Sequence, residues 1–470
     1  MEQAVKSAPP GGNPLGTEKI SRLLVQFAIP AILSSLLGAV YNLTDQVFIG
    51  QRIGYLGNAA TTVAAPITVV CGAVALLFGI GATVHFNILQ GKGKTREALG
   101  YGGGGISMLV ISGVVLMAVT LVFTVPILYL FGANQEVLPL AKTYLRITAL
   151  GIPFLLLTTG GTLLVRADGS PKYTLLCSAV GVGANIVLDF LFLYPLGMGV
   201  EGVAYATIAS QLLSAGLILV VLSRACEAYR FQPRALRVYP DVLRSVVRVG
   251  LPAGLQQALT SFSNVFVQGY INAFGSACMA GWGCYHRLDQ FLLLPMQSIS
   301  MGSTTFMGQN IGARNLKRAE KGVHTAIGLS LAVTAVLTVL LNIFCQPLIR
   351  IFNEKPAVVA YGSMFVHMIS PFYLVVCFNQ IYAGALRGAG DAKAPMVMML
   401  FSFVLFRQIY LFMGTQFINT EWFVGLGYPA GWVVCSILQM AYFYKSRWRD
   451  RCRAAWSAED AARELKKASA

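Results

Sequence analysis

Three acidic residues stand deep inside long apolar stretches of this chain: Asp45, Asp189 and Asp289. A carboxylate in such a setting is costly, so it normally faces a polar cavity and does something there. Asp45 ends the run Tyr41-Asn42-Leu43-Thr44-Asp45. Asp189 follows Asn185 by one helical turn, which puts both side chains on one face. An amide oxygen and a carboxylate on one face, met by a carboxylate from a second helix, form an all-oxygen site for a small cation. Hard oxygen donors suit Na+, and two close carboxylates equally favour holding a proton. The competing reading is structural, with each acid satisfied by neighbouring hydroxyls or backbone groups. Asp289, in His286-Arg287-Leu288-Asp289-Gln290, has two readings of its own: it lines a central cavity, or it pairs with His286. Arg407 lies too deep in its apolar stretch to snorkel to an interface, which leaves a cavity-lining or an interlobe role.

The elements that must carry these residues follow from composition. Of the 470 residues, 56% are hydrophobic and 11% charged, with a mean hydropathy of +0.66; soluble domains carry roughly 25% charged residues. Twelve apolar stretches are each about as long as a bilayer-crossing helix requires. They lie near 24–50, 58–90, 102–130, 141–165, 173–194, 203–223, 246–271, 280–308, 323–350, 358–386, 395–416 and 422–445. No run of short alternating segments suggests a barrel, and open strands would leave backbone unpaired in lipid. The expected fold is an all-α polytopic membrane protein of twelve helices.

The chain also repeats itself. Arg166-Ala167-Asp168-Gly169-Ser170-Pro171-Lys172 returns as Arg387-Gly388-Ala389-Gly390-Asp391-Ala392-Lys393, and Gly91 falls on Gly312 at the same offset. Ile29-Pro30-Ala31 falls on Leu251-Pro252-Ala253. Two duplicated halves of six helices enter the membrane in the same sense, as in transporters with a substrate path between halves. The expected organisation is a polar segment 1–20, a first lobe 21–223, a linker 224–245, a second lobe 246–445 and a basic tail 446–470. Pro30 and Pro252, each inside the first helix of its half, remove a backbone donor and are candidate hinges. The second half lacks the carboxylates: at the repeat offset Asn185 and Asp189 meet Phe406 and Tyr410. A coupling site of this kind therefore belongs to the first lobe.

The net charge of +16 is distributed as a topology signal. Most lysines and arginines fall in alternate connections, including Lys92, Lys94 and Arg96, the cluster Arg224 to Arg248, and the tail from Lys445. This is the positive-inside pattern with both termini cytoplasmic, which places the chain in the plasma (inner) membrane and not on nucleic acid. The segment from Met1 to Ile20 has no signal-peptide layout. The nine scattered cysteines read as packed thiols. The end of the chain, from Asp450 to Ala470, reads as solvated, with a short amphipathic helix as the alternative. No nucleotide motif, metal-ligand spacing or Ser/His/Asp arrangement is present, so no enzyme, no cofactor and no nucleotide partner are expected.

With the repeat, the twelve stretches and these acids in hand, the chain resembles the multidrug and toxic compound extrusion (MATE) family, bacterial type, over about residues 20–445. The resemblance rests on Pro30 followed by Asp45, on Asn185-Ile186-Val187-Leu188-Asp189, and on the two Arg-x-x-Gly connections. It implies two six-helix lobes around a central cavity, and multidrug efflux driven by H+ or Na+ antiport. By resemblance, the first-lobe cation site comprises Asp45, Asn185, Asp189, Tyr144 and Thr207. Implied cargo is small and organic, often cationic or amphipathic, met in a cavity where Asp289, Arg287, Gln256, Gln257 and Arg407 are candidates. Some members carry acids in helix 7; here Gln256, Gln257 and Asn264 stand in that region. The alternatives are a lipid-linked oligosaccharide flippase of the same superfamily and an integral-membrane transferase.

Overall fold

A computed structural model describes residues 18–225, 236 and 239–468, all helix and short connection with no strand among them. Much of the expected linker, including Arg230, Arg234 and Arg237, lies outside the described residues, as does most of 1–20. Twelve long helical units follow one another. In the first half they are α1 (Ile20–Arg52), α2 (Tyr55–Gly91), α3 (Thr95–Val122), α4 (Leu138–Ala149 and Ile152–Ala167, bent by 56°), α5 (Pro171–Leu193) and α6 (Val200–Val220). The second half has α7 (Pro240–Asn272), α8 (Ser276–Gly312), α9 (Leu316–Ile343) and α10 (Pro356–Ile369 and Tyr373–Gly388). It continues with α11 (Lys393–Leu400 and Arg407–Gly414, joined by a π turn) and α12 (Glu421–Gly425 and Gly427–Lys445). A thirteenth helix, α13, spans Trp448–Ala468.

The duplication is written into the helix ends. The offset that carries Gly91 onto Gly312 also carries both ends of α2 onto those of α8, and both ends of α3 onto those of α9. The sequence-based stretches 102–130 and 323–350 each merged two elements. α3 and α9 stop at Val122 and Ile343, and short helices Thr124–Leu130 and Cys345–Arg350 follow separately. The Arg-x-x-Gly connections are explained by Gly169 and Gly390, whose φ values of 92° and 83° favour a residue without Cβ. Among the described residues, α7 and α8 are less apolar than the other ten units, α4 counted as one bent span. Gln256, Gln257 and Asn264 dilute α7, and His286, Arg287 and Asp289 dilute α8.

The two lobes meet at the end of the molecule that carries α13. A Cβ on Gly250 of α7 would come within 1.7 Å of the Leu77 carbonyl oxygen on α2, and one on Gly312 within 2.1 Å of the Ile88 carbonyl. Only glycine lets these backbones touch, the small-residue packing usual between helices in lipid. Helix α1 belongs to both lobes. Its first turns, Leu23, Leu24, Phe27 and Ala28, are buried with Ile299 and Phe306 of α8, whereas its far half packs on α5. Pro30 is buried where one packing gives way to the other.

The tail corrects a sequence reading. In place of a solvated end, residues 448–468 form a docked amphipathic helix. Trp448 and Cys452, one turn apart, are buried in the second-lobe core, with Trp456 packed against them. One turn further along the same side, acids meet basic connections: Glu459 with Lys92 at 2.7 Å, Asp460 with Arg314 at 2.7 Å. The apolar i, i+4, i+8 spacing, diluted by many charges, is what obscured this face in the sequence.

Candidate functional site

Four helices converge in the first lobe around two carboxylates. Asp45 comes from α1, Asn185 and Asp189 from α5, Tyr144 from α4 and Thr207 from α6. Asp45 is 7% exposed and Asp189 fully buried. Asn185 lies between them, and with its amide nitrogen turned toward both it donates to Asp45 Oδ1 and to Asp189 Oδ2, each at 3.1 Å. The two carboxylates interact electrostatically, and two acids gathered round one amide favour a proton or a cation between them. Asp189 Oδ1 and Thr207 Oγ1 are buried without a hydrogen-bond partner. Open lone pairs of this kind are the donor set that a small cation would take, and Tyr144 lies within electrostatic reach of both acids. The five residues assigned by resemblance are thus brought into one cluster.

Sequence reasoning missed two parts of this cluster. Tyr41, one turn before Asp45 on the same face, lies within electrostatic reach of Asp45 and Asp189; the i, i+4 spacing was available as a signal. The second part is an apolar plug. Ile49, Leu193 and Val203 pack together, 1%, 0% and 0% exposed, each one turn from Asp45, Asp189 and Thr207 respectively. They close the site on the side away from α13. Nothing in a generally apolar chain marks these three residues out.

The second-lobe candidates fall in different places. Asp289 is 3% exposed and accepts hydrogen bonds from Tyr373 at 2.6 Å and Tyr285 at 3.4 Å. Its nearest approach to His286 is 3.8 Å, too long for a hydrogen bond, so the two tyrosines hold it. Arg407, also 3% exposed, donates to Ser263 Oγ at 2.7 Å and to Asn264 Oδ1 at 2.8 Å. Its guanidinium carbon stands 4.6 Å from the Tyr428 ring centre. Arg287 and Gln257 are exposed, Gln256 half-buried, and Arg287 lies over Phe352.

The repeat relates the two clusters. At the repeat offset, to within a residue, Tyr41 falls on Ser263, Thr207 on Tyr428, and Asn185 beside Arg407. The π turn Phe401–Phe406 changes the helical phase just before that point, and Arg407, not Phe406, is the buried residue. Where the first lobe gathers two carboxylates, the second holds a guanidinium.

Known proteins show the same architecture. The MatE family profile matches residues 30–191 and 252–437, starting at Pro30 in one half and Pro252 in the other. A probable multidrug resistance protein of Bacillus subtilis (strain 168), YpnP, is 27% identical over 436 residues, 92% of this chain and 96% of its own. A FAD transporter of Shewanella oneidensis is 25% identical over 393 residues, 82% of this chain and 86% of its own. A solved structure described as the outward-facing conformation of a multidrug resistance MATE family transporter superposes with a TM-score of 0.87. That match has 21% identity and covers 96% of this chain and 99% of the other. Twelve helices in two repeated lobes, matched by the family profile in both halves, make this chain a member of the MatE family of multidrug efflux transporters.

Proposed function

We propose that the protein is a secondary antiporter that exports small organic compounds by alternating access of its lobes, driven by entry of H+ or Na+. The observation that carries this reading is the buried pair Asp45 and Asp189, bridged by Asn185, with Asp45 on α1, whose other end packs on the opposite lobe. An ion entering from outside neutralises the pair. The interaction of α1 with α5 changes with it, and that change moves the α1 segment beyond Pro30. Because the ion binds the two states with different affinity, its gradient drives the cargo the other way.

The basic connections and α13 lie on the cytoplasmic side of the plasma membrane in this reading, following the positive-inside bias. With the lobes joined on that side, an outward-open state is the one this reading assigns. Organic cations and amphipathic compounds are the cargo that the family resemblance implies. The FAD transporter among the relatives widens the class to anionic compounds, and the buried Arg407 gives such a group a counter-charge.

Ion-gradient-dependent efflux in proteoliposomes, with Na+ and pH varied separately, tests the proposal. Export that follows one gradient and collapses when it is dissipated is the expected result. Export that proceeds unchanged without any ion gradient overturns it.

A further inference from the structure

Beneath α13 lies a cavity of about 330 Å³, walled by both lobes. Four basic side chains line it: Lys92 from the end of α2, Arg248 from α7, Lys393 at the start of α11, and Arg451 from α13. Two of them are already neutralised, Lys92 by Glu459 at 2.7 Å and Arg451 by Asp391 at 2.7 Å. Among the described residues no ion pair involves Arg248 or Lys393. Trp456 completes the wall. From Arg248 an apolar track leads away along α7: Leu251, Leu255 and Leu259, at i, i+4 and i+8, are 41%, 43% and 40% exposed. Surplus positive charge in a pocket between membrane helices, on the basic side of the protein, is the chemistry that holds phosphate head groups. The leucine track is the surface on which an acyl chain would lie.

We propose that this cavity is a binding site for a phosphate anion, held by Arg248 and Lys393, with a phospholipid head group or a soluble phosphate as its source. The ligand would sit beside the seam of α2 and α7 and under α13, so its binding favours the state in which the lobes are joined at this end.

The test uses the purified full-length chain in native mass spectrometry, offered phosphatidylglycerol or phosphatidylcholine, with inorganic phosphate as a competitor. Wild type should retain phosphatidylglycerol selectively. The double substitution Arg248→Gln with Lys393→Gln should lower that retention about thirtyfold, given the usual contribution of each basic residue. Exchanging the two charges for one another, Arg248→Lys with Lys393→Arg, should preserve it, as should Arg22→Gln with Lys321→Gln, which removes equal charge elsewhere on the same side. Displacement by inorganic phosphate assigns the site to a soluble phosphate; retention in its presence assigns it to the lipid. Equal retention of both lipids by wild type, with no binding of inorganic phosphate, overturns the proposal. So does equal loss in the Arg22/Lys321 variant, or full retention in the Arg248/Lys393 double variant. Where the double glutamine variant does not elute as a single species, Lys393→Gln alone is compared with the charge-exchanged variant, and equal retention by those two overturns it as well.

Discussion

Asp45, Asn185 and Asp189 form a unit in which no member is satisfied without the others. The two carboxylates share the Asn185 amide, with Ile49, Leu193 and Val203 excluding water on one side. Asparagine in place of Asp45 preserves shape and a hydrogen-bonding group but removes the charge that an ion would neutralise. Asp45→Asn should therefore reduce ion-driven efflux by about ten- to a hundredfold, the usual span of a coupling free energy, while leaving the folded yield unchanged. Dye efflux from vesicles under an imposed gradient measures this, and normal efflux by the variant would rule the site out. Arg314 shows what the second lobe tolerates. It occupies a left-handed backbone position at φ 61°, where the first lobe has Gly93 at 72°, and its side chain is held by Asp460.

In the proposed mechanism two helices transmit motion. Pro30 sits in α1 between its second-lobe packing and the half that carries Asp45, about four turns away at 3.6 residues per turn. Pro30→Ala should slow efflux several-fold while cargo binding is retained, because a helix without the missing donor resists local bending. Pro252→Ala should matter less, since α7 leads to Arg407 and not to an exchangeable ion. Turnover and equilibrium dye binding on both variants decide this, and a deeper defect in Pro252→Ala would refute it.

Helix α13 reaches across the lobes through Glu459. Hydrogen bonding from Lys92, joined by Lys94, holds the Glu459 carboxyl below the usual glutamate range. A depressed value means the contact is present above the ordinary glutamate pKa and is lost only as pH falls through the lower, folded-state value. Docking of α13 should thus be constant between about pH 5 and 8 and weaken with added salt, which screens exposed pairs. Hydrogen-exchange protection of residues 448–468 reports both; loss of protection near neutral pH would refute the prediction.

For the molecule taken entire, the joined state depends on backbone contact between the lobes. Gly250→Val would drive a side chain into the Leu77 carbonyl. Overpacking of this kind costs about 1–3 kcal/mol, and it falls on the joined state alone. The variant should shift the population toward separation of α2 from α7, read as a longer distance between spin labels on the two helices. An unchanged distance distribution would show that the seam does not set the state.

The class, the twelve helices, the duplication and the trio Asp45, Asn185 and Asp189 are legible in the chain alone, whereas Tyr144 and Thr207 came from the family resemblance and Tyr41 from the structure. Each legible feature rests on a local signal: apolar length, a constant offset, and rare charges such as Asp45 and Asp189 in runs that exclude charge. Other features arise only once the helices pack. The phase change of the π turn put Arg407, not Phe406, into the second-lobe interior. Tyr373, 84 residues from Asp289, took that acid from His286. Ile49, Leu193 and Val203 became a plug only because three helices brought them together. The docking of α13 depended on pairing Glu459 with Lys92, 367 residues away. Periodicity shows which face of a helix is apolar, but its partner is chosen by packing between segments distant in the chain.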